Sequence, residues 1–243
     1  MKNRLIKTLN IKRFKLVLLL EGLLVGILAG LVIVGYRICL TNGALWLQQI
    51  LAYCKQSIFT IIIWFVILFV IALVVTKLLD WESLISGSGI PQLEGELAGK
   101  IDAKWWRVLI AKFFGGFLAN FSGLALGREG PSIQLGAMVG KGIGKVLKRG
   151  KTEERYLLTC GASAGLAAAF HAPLAGVMFA LEEVHKHFSA PLLISVMTSS
   201  IAADYLMSSI LGMAPVFSFN IHGTLPTQYY WMVIILGIIL GLL

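Results

Sequence analysis

Long apolar runs separated by short polar stretches organise this sequence. Leu16–Tyr36 and Ile58–Val75 are near-continuous apolar stretches, long enough to cross a hydrocarbon core of about 30 Å at about 1.5 Å of rise per helical residue. Trp105–Leu124 is a third such segment and Pro191–Leu211, which carries Asp204, a fourth. The N-terminus is basic and then apolar, as in a signal peptide. The run from Leu16 to Val34 outlasts an h-region of about 15 residues and has no clear small-residue cleavage site, so it reads as a span.

Other apolar pieces are too short or too interrupted to cross. Pro131–Lys141 predicts a half-helix of about 15 Å, whose N-terminus belongs near the bilayer midplane. Leu157–Leu181 is uncharged apart from His171 but is punctuated by Gly161, Gly165, Pro173 and Gly176. Read as one span, it would put the Gly212–Tyr229 loop, which has no Lys or Arg, in the cytoplasm. Read as a broken pair that dips in and returns, it keeps Glu182, Glu183 and Lys186 inside and that loop outside, as the positive-inside rule prefers. The broken pair is the expectation. Trp231–Leu243 begins a further span.

Composition narrows the class. Of 243 residues 58% are hydrophobic and only 14% charged, against about 25% charged in an ordinary soluble domain. A water-soluble globule is excluded. The net charge of +9 comes largely from two clusters, Lys2–Lys15 and Lys141–Arg155, each with six Lys or Arg. They read as cytoplasmic segments rather than as a nucleic-acid face. The topology is therefore multi-pass in a cell membrane, N-terminus inside. Cys39, Cys54 and Cys160 lack CxxC spacing and read as packing residues.

Three motifs carry candidate chemistry: Gly87-Ser88-Gly89-Ile90-Pro91, Gly127-Arg128-Glu129-Gly130-Pro131 and Gly161–Glu183. In the first two, glycines allow a tight turn and proline then occupies the first helical turn, where its missing N–H costs nothing. Free N–H groups and the helix dipole make such a start an anion site. Non-helical backbone at membrane depth must line a cavity or be buried in protein. Ser88 offers a hydroxyl, and Glu129 can supply the negative charge itself. A charge at the bilayer centre costs about 2.5 to 3.5 kcal/mol on the insertion scale, while a helix N-terminus returns up to about 2 kcal/mol. These nearly balance, so a mobile anion or a proton could displace the Glu129 carboxylate.

These segments, in this order, resemble the CLC chloride channel and transporter family over roughly Leu16–Leu211. The resemblance implies an all-α integral membrane fold, the first of two inverted repeats, with half-helices meeting near the midplane. It divides the chain into a basic cytoplasmic segment, 1–15, a first transmembrane repeat, 16–226, and the truncated start of a second, 227–243. It implies that Ser88, Gly89, Ile90 and Gly130 bind the anion, that Glu129 is the external gate and proton acceptor, and that Glu183 is the internal proton acceptor. Glu183 favours chloride/proton antiport. The alternatives are a passive chloride channel and a non-transporting half-protein. Chloride, protons, the lipid bilayer, a homodimeric partner and a missing second half are the implied partners, with no cofactor and no nucleic acid. Gln92 and His171 stand where the family often has Glu and Asn.

Simpler roles compete with these. Ser88 as a helix cap, Glu129 as a fixed dipole partner and Glu183 as a solvated helix end are each structurally sufficient. Gly26–Gly30, Gly136–Gly140 and Gly161–Gly165 repeat small residues four apart and predict close helix packing. Gly136–Gly142 resembles a phosphate loop but is one residue short and lacks the Ser/Thr after lysine. An intramembrane serine hydrolase at Ser88 lacks a positioned base, and His185 with His187 does not share a helix face for metal binding. The protein is not expected to be an enzyme.

Overall fold

The computed structural model describes residues 2–55, 57–186, 188–213 and 226–242, with side chains from Lys15 onward. Helix α1 runs Lys2–Cys54, α2 Ile58–Trp81, α3 Ile90–Leu97, α4 Trp105–Phe121, α5 Glu129–Val146, α6 Lys151–Phe170, α7 Pro173–Phe179 and α8 Ala190–Leu211. These belong to one compact unit, Met1–Met213. In a second unit, Ala214–Leu243, the described part is a 3-10 turn at Thr227–Tyr229 and helix α9, Tyr230–Leu242. Lys15–Cys54, α2 and α8 are long and apolar enough to cross a membrane.

Packing at small residues fixes the relative directions of the helices. A methyl group added at Gly22 would meet Ser195, one at Gly26 Ser199 and one at Gly30 Ala203, so α1 and α8 lie backbone to backbone and run parallel. In the same way Gly136 meets Gly161, Gly140 meets Leu157 and Gly165 meets Ser132, which makes α5 and α6 antiparallel. The predicted close packing of these glycine pairs is present, as interfaces rich in small residues allow. Hydroxyl bonds add to it: Ser195 Oγ donates to Leu18 O at 3.0 Å and Ser199 Oγ to Cys160 O at 2.9 Å. Tyr36 against Phe113 and Gly43 against Phe117 make α4 parallel to α1. Trp64 against Phe121 and Trp81 against Trp106 make α2 antiparallel to α4.

The broken pair is also present. Helix α6 stops at His171, which has φ 54°, and α7 starts at Pro173. Gly176 lies against the Ser163 carbonyl and His185 Nδ1 sits 2.9 Å from Thr159 Oγ1, so the chain reverses and runs back along α6. Helices α1, α4, α6 and α8 thus point one way and α2, α5 and α7 the other, the alternation expected from the charge pattern.

Two length expectations are corrected. The first span is part of a 53-residue helix, because nothing between Tyr36 and Cys54 breaks it: Arg37, Thr41 and Asn42 lower the hydropathy without stopping the helix. The half-helix predicted over Pro131–Lys141 is instead an 18-residue helix, about 27 Å long. Lys141 does not end it, because its ammonium is fully buried beside Glu96, 2.7 Å from Asp102 Oδ1 and 2.6 Å from the Ala103 carbonyl. The short helices are α3 with eight residues and α7 with seven.

Candidate functional site

The start of α3 is built by left-handed backbone on either side of Ser88. Gly87 has φ 67° and Gly89 φ 95°, conformations that glycine adopts without a Cβ penalty. Pro91 then occupies the first turn. Ser88 Oγ accepts from the Ile90 amide at 3.3 Å, so the hydroxyl turns onto the first amide of the helix, whose N-cap residue is Gly89. Ser88 is exposed, Gly89 buried and Ile90 half-buried.

Helix α5 opens at Glu129, with Arg128 as its N-cap residue. The Arg128 carbonyl accepts from the Ser132 amide at 3.0 Å and from Ser132 Oγ at 2.8 Å. The half-buried Glu129 side chain folds back over Gly127, its Oε2 only 2.7 Å from where a Cβ on that residue would lie. Among the described residues no hydrogen bond or ion pair holds the Glu129 carboxylate.

The two helix starts meet. A Cβ on Gly130 would lie 2.7 Å from the Ser88 carbonyl oxygen. Behind the junction the buried Lys112 of α4 donates from Nζ to Ile85 O at 2.8 Å and to Gly87 O at 2.7 Å, fixing the loop that carries Ser88. Gln134 of α5 donates to Leu84 O at 2.8 Å, while its buried Oε1 has no hydrogen-bond partner and faces Gly89. Gln92 donates to Ser86 O at 2.9 Å, a bond that the glutamate often found there could not make when ionised. Ser88, Lys112, Gly127 and Gly130 line a cavity of about 460 Å³.

Two helix N-termini and one ammonium converge here, with a carboxylate at the edge. Each N-terminus carries about half a positive charge, and a lysine has three donors, of which Lys112 commits two to the loop. An anion is the species this arrangement favours. Ser88, Gly89, Ile90, Glu129 and Gly130 are thus brought together. Glu183 is not: it sits exposed in a π-helical turn, Ala180–His185, that continues from α7. Lys112 and Gln134 belong to none of the three sequence motifs, yet both hold the loop before α3. A lysine inside an apolar span was the available signal, since intramembrane charges mark functional or paired positions. No cluster of potential metal ligands occurs among the described residues, and His187 lies outside them.

Apolar helices, tight small-residue contacts and loops that begin helices inside the bundle define a membrane-type helical scaffold in which two helix starts meet at a cavity. The model of the voltage-gated chloride channel family matches residues 70–243, and the chain belongs to that CLC family. It is 34% identical over 238 residues to the H(+)/Cl(-) exchange transporter ClcA of Citrobacter koseri, covering 93% of this chain and 49% of that protein. The ClcA exchanger of Vibrio parahaemolyticus is 40% identical over 159 residues, 64% of this chain and 34% of that one. Among solved structures, a slow cyanobacterial Cl-/H+ antiporter superimposes with a TM-score of 0.80 at 34% identity, over 93% of this chain and 54% of its own. A CLC-type fluoride/proton antiporter shares the fold, with a TM-score of 0.66 at 24% identity. The chain spans about half the length of the curated relatives it matches, and its fold is a half-length CLC fold.

Proposed function

We propose that this chain is the first half of a chloride/proton antiporter, and that Ser88, Gly89, Ile90 and Gly130 line its anion site. The meeting of the α3 and α5 N-termini beside buried Lys112 carries the reading, because it gathers positive potential and, among the described residues, no ion pair neutralises Lys112. Glu129, at the start of α5, competes with the anion when ionised and releases the site when protonated. Glu183, on the π-turn that follows α7, takes protons from the other side. That separation suits two proton-accepting groups at opposite ends of one route. The exchanger names of the relatives support coupling over a passive channel.

In this reading the end of the bundle bearing Lys148, Lys151 and Glu183 is cytoplasmic, and a second half completes the pathway in a dimer of complete subunits. The test is simultaneous measurement of chloride and proton flux from liposomes holding this chain together with a second CLC half, or the complete protein. Opposed, stoichiometric movement of the two ions supports antiport. Chloride flux without proton movement overturns it in favour of a channel.

A further inference from the structure

The break between α6 and α7 carries a polar cluster that the anion cavity does not use. His171 closes α6 and joins three elements: its Nε2 lies 2.9 Å from Arg37 Nη1 on α1, and its Nδ1 lies 3.2 Å from Asp204 Oδ1 and 3.3 Å from Ser208 Oγ on α8. The His171 and Asp204 side chains are 15% and 20% exposed. Arg128, the residue before Glu129, adds its charge to the field at Arg37.

The donors and acceptors admit one protonation state. A guanidinium only donates, so Nε2 must present its lone pair to Arg37. The ring proton therefore sits on Nδ1, directed at the Asp204 carboxylate with Ser208 beside it. A neutral imidazole in this tautomer satisfies every partner. A second proton, on Nε2, would set an N–H against the Arg37 N–H and place two like charges 2.9 Å apart, with Arg128 adding a third. Asp204 would hold the imidazolium more firmly, so the contact that gives way is the one to Arg37.

We propose that His171 is a proton-operated latch. Neutral, it ties α1 to the α6–α7 break and to α8; protonated, it keeps Asp204 and lets Arg37 go, loosening α1 against that break while its contacts with α4 remain. The groups that face it are Arg37 from α1, Asp204 and Ser208 from α8 and, through Arg37, Arg128 from the loop before α5. The latch responds to pH without being a step in proton transfer, so it stands whether or not the protein exchanges chloride for protons.

The experiment measures the distance between spin labels at Leu45 on α1 and Tyr205 on α8, positions 52% and 70% exposed, in the complete protein at pH 8 and pH 5. The distance distribution is expected to shift or broaden at pH 5. In His171→Gln it should keep its pH 8 form at both pH values, because the amide accepts from Arg37 and donates to Asp204 but takes no proton. Arg37→Gln should also lose the pH response, because its amide can turn to accept from the imidazolium. A wild-type distribution that is the same at both pH values overturns the latch. So does a pH response that survives in His171→Gln. Neither readout depends on ion flux, so failure of the antiport reading is separately visible.

Discussion

Gly130 stands directly against Ser88: a Cβ at Gly130 would lie 2.7 Å from the Ser88 carbonyl oxygen and 3.0 Å from its Cα. Two helix starts can share one cavity only because this position has no side chain. Gly130→Ala must push the α3 loop away from α5, and overpacking of this kind costs about 1–3 kcal/mol. If that cost falls on the anion-competent geometry, chloride affinity drops by about tenfold or more, since about 1.4 kcal/mol is a factor of ten. Isothermal titration of chloride into the complete protein measures it, and unchanged affinity in a folded variant would separate the junction from the site.

Lys112 sets the loop from behind. Lys112→Met keeps the length and the apolar stem but leaves the Ile85 and Gly87 carbonyls without their donor. Buried groups left unsatisfied cost about 1–3 kcal/mol. The variant should melt lower, and its anion flux should fall by more than its loss of folded protein explains, since the site also loses a positive charge. Flux normalised to folded protein distinguishes that outcome from a purely structural lysine.

How much of this was legible beforehand depends on the kind of signal. The helix starts at Ser88 and Glu129 were legible because Gly and Pro mark them locally, and the reversal at His171 because Pro173 and the charge balance agreed. The length of α5 was not, since Lys141 reads from sequence as a membrane boundary. Its burial rests on Glu96 and Asp102, some forty residues away, a long-range pairing that no local pattern encodes. Arg37 misled for the same reason: an arginine after an apolar run reads as a span end until its partner on another helix is known.

That buried lysine makes its own prediction. Glu96 accepts from both Lys141 and the Ala103 amide, so Lys141→Met leaves a buried carboxylate without its cation. Breaking a buried pair from one side costs about 3–5 kcal/mol, which should lower the melting point sharply. Asp102 contributes little by itself, because its side chain is 82% exposed. The hydrogen bond from Lys141, with its charge, holds the Asp102 carboxyl below the usual range. Its stabilisation is therefore complete above the ordinary aspartate value, about 3.9, and is lost as pH falls through the depressed folded value. Lys141→Met should erase the Asp102 part of this acid-range dependence, which thermal melts between pH 6 and pH 3, read against Asp102→Asn, would report.

Orientation follows from the helix directions once one end is fixed. Lys148 and Lys151 lie at the junction of α5 and α6, and Met213 lies just past the opposite end of α8, 85% exposed. Single cysteines at Lys148 or Lys151 should react with an impermeant thiol reagent only from the cytoplasmic side, and a cysteine at Met213 only from outside. The reverse pattern would invert the assignment of Glu129 and Glu183 to their sides while leaving the helix packing untouched.

The two glutamates separate coupling from conduction. Glu129 opens α5 beside the cavity, and among the described residues nothing pairs its carboxylate, so in the proposed reading Glu129→Gln imitates the protonated, displaced side chain. Chloride flux should persist in that variant while proton flux falls to the background of empty liposomes. Glu183 is exposed on the π-turn and takes no part in the cavity. Glu183→Ala should therefore leave chloride affinity unchanged and remove only proton entry from its side, whereas Glu183→Asp, which keeps a titratable carboxyl, should retain part of the coupling. Parallel chloride-electrode and pH-electrode traces from one liposome preparation read both ions at once. Were Glu183→Ala to transport protons at the wild-type ratio, the proton route would run elsewhere and the role proposed for the π-turn would fail, even with the anion site intact.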